Sequence, residues 1–389
     1  MEMSPSVMPA GLNPSRTMAK KKKSKAPPTF DQVMASIQAT TDGVSFLPAS
    51  EVATSYSLRR KFGIPKLDIG LRGGLPAGTL SQLFGPDGIG KDYLANKAIA
   101  NVQNAYQEEA AVFIASFGYK MDRGAMYLAG VQMPGVPGEF NGQYDHLMNQ
   151  VGQLVTLEVD DSTTSKFPAE AVLEGVLACV RSGRFQLGII NELPAAETSF
   201  HKRVSLLESA RHASLASLIA DFQRKFYNAM KAIPNNETTV LVINQVRANM
   251  NAQGPYSKKT SETGGFALKH LKAADIHLRH AGKIKNKKGD VVLGKEVAWQ
   301  VSKGKCGLSE GAEGSYDFLY YRGADILKDL IDLGQEYGIV TRAGPYYYIG
   351  DLKFLGLDKF KEYLQQDDNA LAIEQAVYAA AELGHVRYT

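Results

Sequence analysis

A chain of 389 residues, 44% apolar and 22% charged, suits one large core with small appendages and has the balance of an ordinary globular protein. No apolar run reaches membrane-span length, the N-terminal Lys run leads into Ala26-Pro27-Pro28 where a signal peptide would turn apolar, and Cys179 and Cys306 are too few for a disulfide framework or metal site, so a cytoplasmic protein without a membrane partner is expected. The formal net charge is only +4, and it is unevenly spread.

Residues 1–28 carry several Pro, few aromatics and the run Lys20-Lys21-Lys22-Lys23-Ser24-Lys25, the composition of a disordered basic tail. A short amphipathic helix is expected over 30–37, and 40–60 is poorly patterned. In 62–83 the turn signals Gly-Ile-Pro, Gly-Gly-Leu-Pro and Ala-Gly surround a short helix, and the last residues form a strand ending in Leu83-Phe84. That strand feeds Gly85-Pro86-Asp87-Gly88-Ile89-Gly90-Lys91-Asp92, after which Tyr93-Leu94-Ala95-Asn96-Lys97-Ala98-Ile99 reads as a helix.

Strand, glycine-rich turn and helix are the setting a phosphate-binding loop requires. Gly85, Gly88 and Gly90 let backbone N–H groups turn inward around phosphate oxygens with no Cβ in the way. The helix offers its N-terminal amides and positive dipole end to the same anion, and Lys91 reaches the β- and γ-phosphates. Asp92 stands where the motif wants a Ser or Thr hydroxyl for Mg²⁺. A carboxylate there either binds the metal directly or repels the nucleotide; in the latter case the loop is a structural turn left over from a binding loop.

Downstream, 110–114 is a second apolar strand, giving one βαβ unit. Gly-, Pro- and Gln-rich text over 132–152 reads as a surface insertion. A helix over 169–181 precedes an apolar strand over 185–192, and a helix over 209–231 leads into 238–245, again apolar then polar. This alternation gives an α/β fold, a mostly parallel sheet flanked by helices with function at the C-terminal ends of its strands. From 248 to 265 the chain turns polar and glycine-bearing, as a mobile loop does. Residues 258–305 hold twelve Lys or Arg against four acidic residues. That concentration suits a polyanion, and equally a solvated Lys-rich edge. Within it, 276–279 and 297–301 alternate like antiparallel strands around the turn Asn286-Lys287-Lys288-Gly289-Asp290. A smaller module follows Gly323, with a helix over 326–337, then 346–349 and further helices to 383.

Several of these segments together resemble the RecA-type recombinases, ATP-dependent filament proteins that coat single-stranded DNA. The likeness runs collinearly over 63–350, through GIPKLDIGL, GGLPAGTLSQLFGPDGIGK, the helix ending ACVRSG, VINQVR, TGGFALK over 263–269, VSKGK over 301–305 and DLGQEYGIVTRAGPYYY. It implies a RecA-like P-loop core with small N-terminal and C-terminal domains. Here these are a tail over 1–28, a polymerisation element over 29–60, a nucleotide- and DNA-binding core over 61–322 and a C-terminal domain over 323–389. ATP and Mg²⁺ are the implied cofactors, held by the loop residues named above together with Tyr93. Single-stranded DNA, double-stranded DNA as second substrate, and further copies of the chain in a helical filament are the implied partners.

Gln245 resembles the family's switch residue, which senses the γ-phosphate and passes that state to a DNA-binding loop beginning near Arg247. A Gln has both donor and acceptor for this, and would equally close a strand-end hydrogen bond. Gly264 and Gly265 resemble loop glycines whose amides contact DNA phosphate, within a basic stretch that includes Lys258, Lys259 and Lys269. Lys303 and Lys305 resemble residues that reach across a filament interface to a neighbour's nucleotide, as cations acting in trans. Lys202, Arg203 and Arg211 fall where the first DNA-binding loop would lie, or on a solvated helix end.

The departures concern hydrolysis. Where the family's catalytic Glu follows the second strand, this chain reads Phe113-Ile114-Ala115-Ser116-Phe117-Gly118-Tyr119, with Phe117 or Gly118 at that position. The metal-side Asp of the next strand is Asn191. Glu192 is then the candidate base and Asp92 the candidate metal ligand. Losing a placed base costs about two to four orders of magnitude in rate, so ATP hydrolysis is expected to be weak or absent. Two functions follow. One is a recombinase that forms nucleotide-responsive filaments on single-stranded DNA and promotes pairing and strand exchange. The other is a non-catalytic RecA-like DNA-binding scaffold or filament-capping protein with a vestigial nucleotide site. A small-molecule kinase would leave the basic 258–305 region and TGGFALK unexplained.

Overall fold

The structure, a computed structural model, describes residues 29–40, 58–117, 122–133, 151–158, 168–196, 213–248, 260–262, 270–286, 288–366, 368–383 and 387–388. The basic tail, most of the 132–152 insertion, Gly118, Lys202, Arg203, Arg211, Lys258, Lys259, Gly264, Gly265 and Lys269 lie outside them. The chain divides into a unit of residues 1–53 and one of 54–389. In the first, helix α1, Phe30–Thr40, opens on a reciprocal cap: Thr29 Oγ1 accepts from the Gln32 N–H at 3.4 Å, and Gln32 Oε1 accepts from the Thr29 N–H at 3.1 Å.

The second unit begins with β1 (Leu58–Arg60), α2 (Pro65–Gly70), β2 (Leu75–Pro76), β3 (Leu80–Gly85), α3 (Lys91–Tyr106), β4 (Ala111–Ser116), α4 (Arg123–Leu128) and β5 (Gln153–Leu157). It continues through α5 (Pro168–Ser182), β6 (Leu187–Asn191), α6 (Ala213–Lys231), β7 (Thr239–Ala248), β8 (Thr260–Glu262), β9 (Ala274–Lys285), β10 (Val292–Gly304), β11 (Glu313–Leu319) and β12 (Gly323–Ala324). β3 to β12 form one ten-stranded sheet in the order β12-β11-β10-β9-β3-β7-β6-β4-β5, with β8 paired to the end of β7. From β9 to β5 every neighbour is parallel, while β10, β11 and β12 continue antiparallel.

β4, β6 and the first half of β7 are near-continuous apolar runs because both of their faces are covered. Val112 and Ile114 of β4, Leu187 and Ile189 of β6, and Leu241 and Ile243 of β7 share one core with Leu94, Ala98 and Ile99 of α3. The intervening Phe113, Ile190, Val240 and Val242 share another with Val172 and Val176 of α5 and Phe222 and Phe226 of α6. The period-2 alternation of a strand thus sorts α3 to one face and α5 and α6 to the other. The loop between β7 and β9 holds the short strand β8, where the sequence suggests polar loop throughout.

After β12 come α7 (Ile326–Glu336), β13 (Thr341–Ala343), β14 (Tyr346–Ile349), β15 (Leu352–Leu355), α8 (Gly356–Leu364), α9 (Asn369–Ala380) and β16 (Arg387–Tyr388). Strands β13-β14-β15 make their own antiparallel sheet, and Leu330, Ile331, Tyr347, Phe360, Ile373 and Val377 form a separate core. β16 returns to pair with β1, which also pairs with β2.

Candidate functional site

β3 ends at Gly85, and α3 begins six residues later at Lys91. Gly88 and Gly90 hold φ of 65° and 113°, a region that disfavours any Cβ, and open space lies where one would point. No side chain caps α3, so its N-terminal amides face the space above the loop. Gly85 has no Cβ for a different reason: one would lie 2.6 Å from the Leu278 carbonyl oxygen of β9. The Lys91 ammonium donates to the Gly85 and Pro86 carbonyls at 3.0 and 2.9 Å, and Asp87 stands 3.9 Å away. Burial lowers the Lys91 pKa, opposed by the negative charges of Asp87, Asp92 and Glu192.

Glu192 closes β6 with φ of 54°, a left-handed conformation rare for a residue with a side chain. Its charge also acts on Asp92, whose carboxyl is pushed above the usual range, first by desolvation and then by Glu192, with Lys91 opposing. The negative charges of Asp92 and Glu192 thus both act on Lys91 at the start of α3. The base position is apolar: the Phe117 N–H donates to the Asn191 carbonyl oxygen at 3.3 Å, just past β4. The Asn191 side chain is buried, with an Oδ1 that finds no hydrogen-bond donor among the described residues.

Gln245 lies directly across from Gly85 in the β3–β7 register, half-buried at the edge of the loop. β7 then runs past the sheet, and Arg247 pairs with Ser261 of β8. A buried polar line, not anticipated from the sequence, starts here. The Gln245 N–H donates to Asn244 Oδ1 at 2.8 Å, Asn244 Nδ2 to Gln82 Oε1 at 3.3 Å, and Gln82 Nε2 to Asp275 Oδ1 at 3.2 Å. Lys272 completes it with a 2.7 Å ion pair to Asp275. Asp275 pairs in register with Lys303, whose pKa is lowered by burial and by the like charges of Lys305 and Lys272. The Lys305 ammonium donates to the His270 carbonyl at 2.9 Å.

Lys303 and Lys305 thus stand at the end of the sheet remote from the loop. A second lysine that sequence reasoning missed, Lys295, occupies the near end of the same strand and donates to the Gly88 carbonyl. Tyr93, in the first turn of α3, accepts from the Ala324 N–H at 2.9 Å and packs edge-on against Phe318 at 5.0 Å. It braces α3 and is not free to stack on a ligand.

The uncapped helix, the open glycines and the inward lysine fit a nucleotide's phosphates. Among the described residues no group of three or more His, Cys, Asp or Glu gathers to hold a metal unaided. Asp92 with Glu192 fits Mg²⁺, which takes one or two carboxylates and completes its shell with phosphate and water. Among the described residues, no helix is long and apolar enough to cross a membrane.

No protein-family profile matches the chain. It is 27% identical over 320 residues to a protein named Protein RecA from Caulobacter vibrioides, covering 81% of this chain and 79% of that one. It is 29% identical over 324 residues to Protein RecA from Methylococcus capsulatus, covering 82% of each chain.

Proposed function

Because the chain is a distant member of the RecA-type family, we propose that it is a DNA recombination protein working in the cytoplasm. It assembles on single-stranded DNA as a nucleotide-responsive filament and promotes pairing and exchange with double-stranded DNA. The observation that carries this reading is the placement of Gln245 beside Gly85, at the root of the strand that leads to Arg247 and the basic segment containing Lys258, Lys259, Gly264, Gly265 and Lys269. A change at the loop is thereby one residue from the backbone of the DNA segment. Lys202, Arg203 and Arg211 would add phosphate contacts.

Gly85 to Gly90 and Lys91 would hold the phosphates of ATP, and Asp92 the Mg²⁺. ATP supplies the γ-phosphate that Gln245 reads. Glu192 would hold the proton of an attacking water, from a position offset by one residue from the buried Asn191. Hydrolysis is therefore slow, while binding and filament switching persist. One observation favours a second reading, a non-catalytic scaffold or filament cap: both the base and metal-side positions carry uncharged side chains, Phe117 and Asn191.

Single-stranded DNA affinity, measured by fluorescence anisotropy with and without a slowly hydrolysed ATP analogue, separates the two. Coupled sites typically shift affinity about 5- to 150-fold, so the analogue should tighten DNA binding at least several-fold and Lys91→Ala should remove that response. An analogue that leaves DNA affinity unchanged overturns the recombinase reading in favour of the scaffold.

A further inference from the structure

β10 alternates strictly around the core: Val297, Trp299 and Val301 face inward and are buried, with Ala298 and Gln300 between them. Continuing that phase two residues toward the hairpin tip places Lys295 at an inward position, where an apolar side chain is the ordinary choice. Its side chain is buried, 8% exposed, and its aliphatic stem leads the ammonium over the Phe318 ring at 5.2 Å and onto the Gly88 carbonyl. Register shifts in the β9–β10 pairing flank it, between Val292 and Gly294 and again between Glu296 and Val297. Such bulges re-aim a side chain relative to the regular pleat. Gly294 keeps β10 close to β11, since a Cβ there would meet the Phe318 carbonyl oxygen at 2.1 Å.

Among the described residues no carboxylate forms an ion pair with Lys295, and burial alone shifts it, lowering its pKa. The stem is buried while the ammonium reaches the exposed Gly88 carbonyl, where a bound anion would stabilise a half-buried positive charge. The carbonyl it holds belongs to Gly88, the loop glycine whose peptide must point its oxygen outward for the next N–H, that of Ile89, to point inward.

We propose that Lys295 is a second lysine of the phosphate loop: by holding the Gly88 carbonyl from behind it orients the following amide toward a polyphosphate, and its positive charge is completed by that anion. It is a positioning residue, acting through the Gly88 peptide. The proposal rests on the nucleotide-loop reading and adds a residue to it.

The test is calorimetric titration of the full chain and of Lys295→Met with ATP and, separately, with inorganic tripolyphosphate, alongside thermal melts. A hydrogen bond from a charged group sets the expected loss at about ten- to a hundredfold for both probes. The unliganded melting temperature should hold or rise, because a half-buried charge has gone. A merely structural lysine would lower the melt and leave tripolyphosphate affinity unchanged. If Lys295→Met matches the wild-type affinity, the proposal is overturned and the loop reading stands; a wild-type chain that binds neither probe overturns both. Should the Met variant not fold, Lys295→Gln keeps an N–H donor without the charge. Tripolyphosphate affinity lower by several-fold is expected there, and an unchanged value overturns the proposal.

Discussion

On the proposed reading, Asp92 would decide how the loop treats Mg²⁺ and a nucleotide. Its carboxyl sits above the usual range through desolvation and the nearby Glu192, so it resists ionising in the free protein. Mg²⁺ would reverse that by supplying positive charge to both carboxylates. Two opposite effects of Asp92→Asn follow. Without Mg²⁺, nucleotide binding should tighten by a few-fold, since one negative charge near Lys91 has been removed. The Mg²⁺ concentration needed for half-maximal ATP binding should rise on the order of tenfold, as a ligand is lost. Titrating a fluorescent ATP analogue against Mg²⁺ measures both. Equal Mg²⁺ demand in the two proteins would remove Asp92 from the metal site. Asp92, Glu192 and Asn191 were legible in the sequence as departures from the motif. Lys295 was legible only as a lysine in phase with Val297, Trp299 and Val301, at a position where an apolar side chain is the ordinary choice. A short strand pattern with one exception does not reveal which carbonyl waits behind the sheet.

Elements that bury both faces announced themselves, because β4, β6 and the first half of β7 are apolar without alternation and sit between helices. β5, by contrast, is Gln153-Leu154-Val155-Thr156-Leu157 at the sheet edge, half-exposed and too short to stand out from the polar text before it. Long-range pairing is equally silent: Asn244 and Gln82 are 162 residues apart, Gln82 and Asp275 193 apart. The entry to α2 hides a further buried acid. Asp68 accepts from the Phe62 and Gly63 N–H groups at 2.7 and 2.8 Å, tying the chain after β1 to the helix. Burial nonetheless raises its pKa to about 7, opposed by those N–H groups and Lys61, and aided by Glu374. The folded state therefore holds this proton more tightly than the unfolded chain. Its contribution to stability is greatest at low pH and is lost as pH rises from the ordinary carboxylate range to about 7. Between about pH 5.5 and 8 the loss is on the order of 2 kcal/mol. Urea melts of wild type and Asp68→Asn at both pH values test it. The variant starts less stable at the lower pH, having an amide facing two donors, and should lose less on going to the higher one. Parallel slopes would mean Asp68 stays ionised. Asp329, also raised to about 7 by burial against Lys66, adds to both slopes and cancels in the comparison.

At the scale of the whole molecule, Lys295 and Lys303 stand toward opposite ends of β10. Lys295 touches the loop at Gly88, and Lys303 lies eight residues further along an extended strand, roughly 27 Å away at the usual rise. A lysine side chain spans only a fraction of that distance. On the proposed reading, Lys303 and Lys305 would meet a nucleotide held by another copy, through a head-to-tail contact that would repeat into a filament. The buried line Asn244–Gln82–Asp275–Lys272 runs between these ends, so an ordered chain of polar contacts joins the strand beside the loop to the lysine end. Shared sites make a prediction that single mutants cannot. Lys91→Ala and the double variant Lys303→Ala/Lys305→Ala should each lose the ATP-dependent gain in single-stranded DNA affinity. Mixed in equal amounts, they should recover it in part. Random neighbours place an intact Lys91 against an intact Lys303/Lys305 pair at about one contact in four, so roughly a quarter of the wild-type response is expected. Anisotropy on a long oligonucleotide, with the mixture assembled before ATP is added, reads this directly. A mixture no better than its components would leave Lys303 and Lys305 with no part in recognising a neighbour's nucleotide.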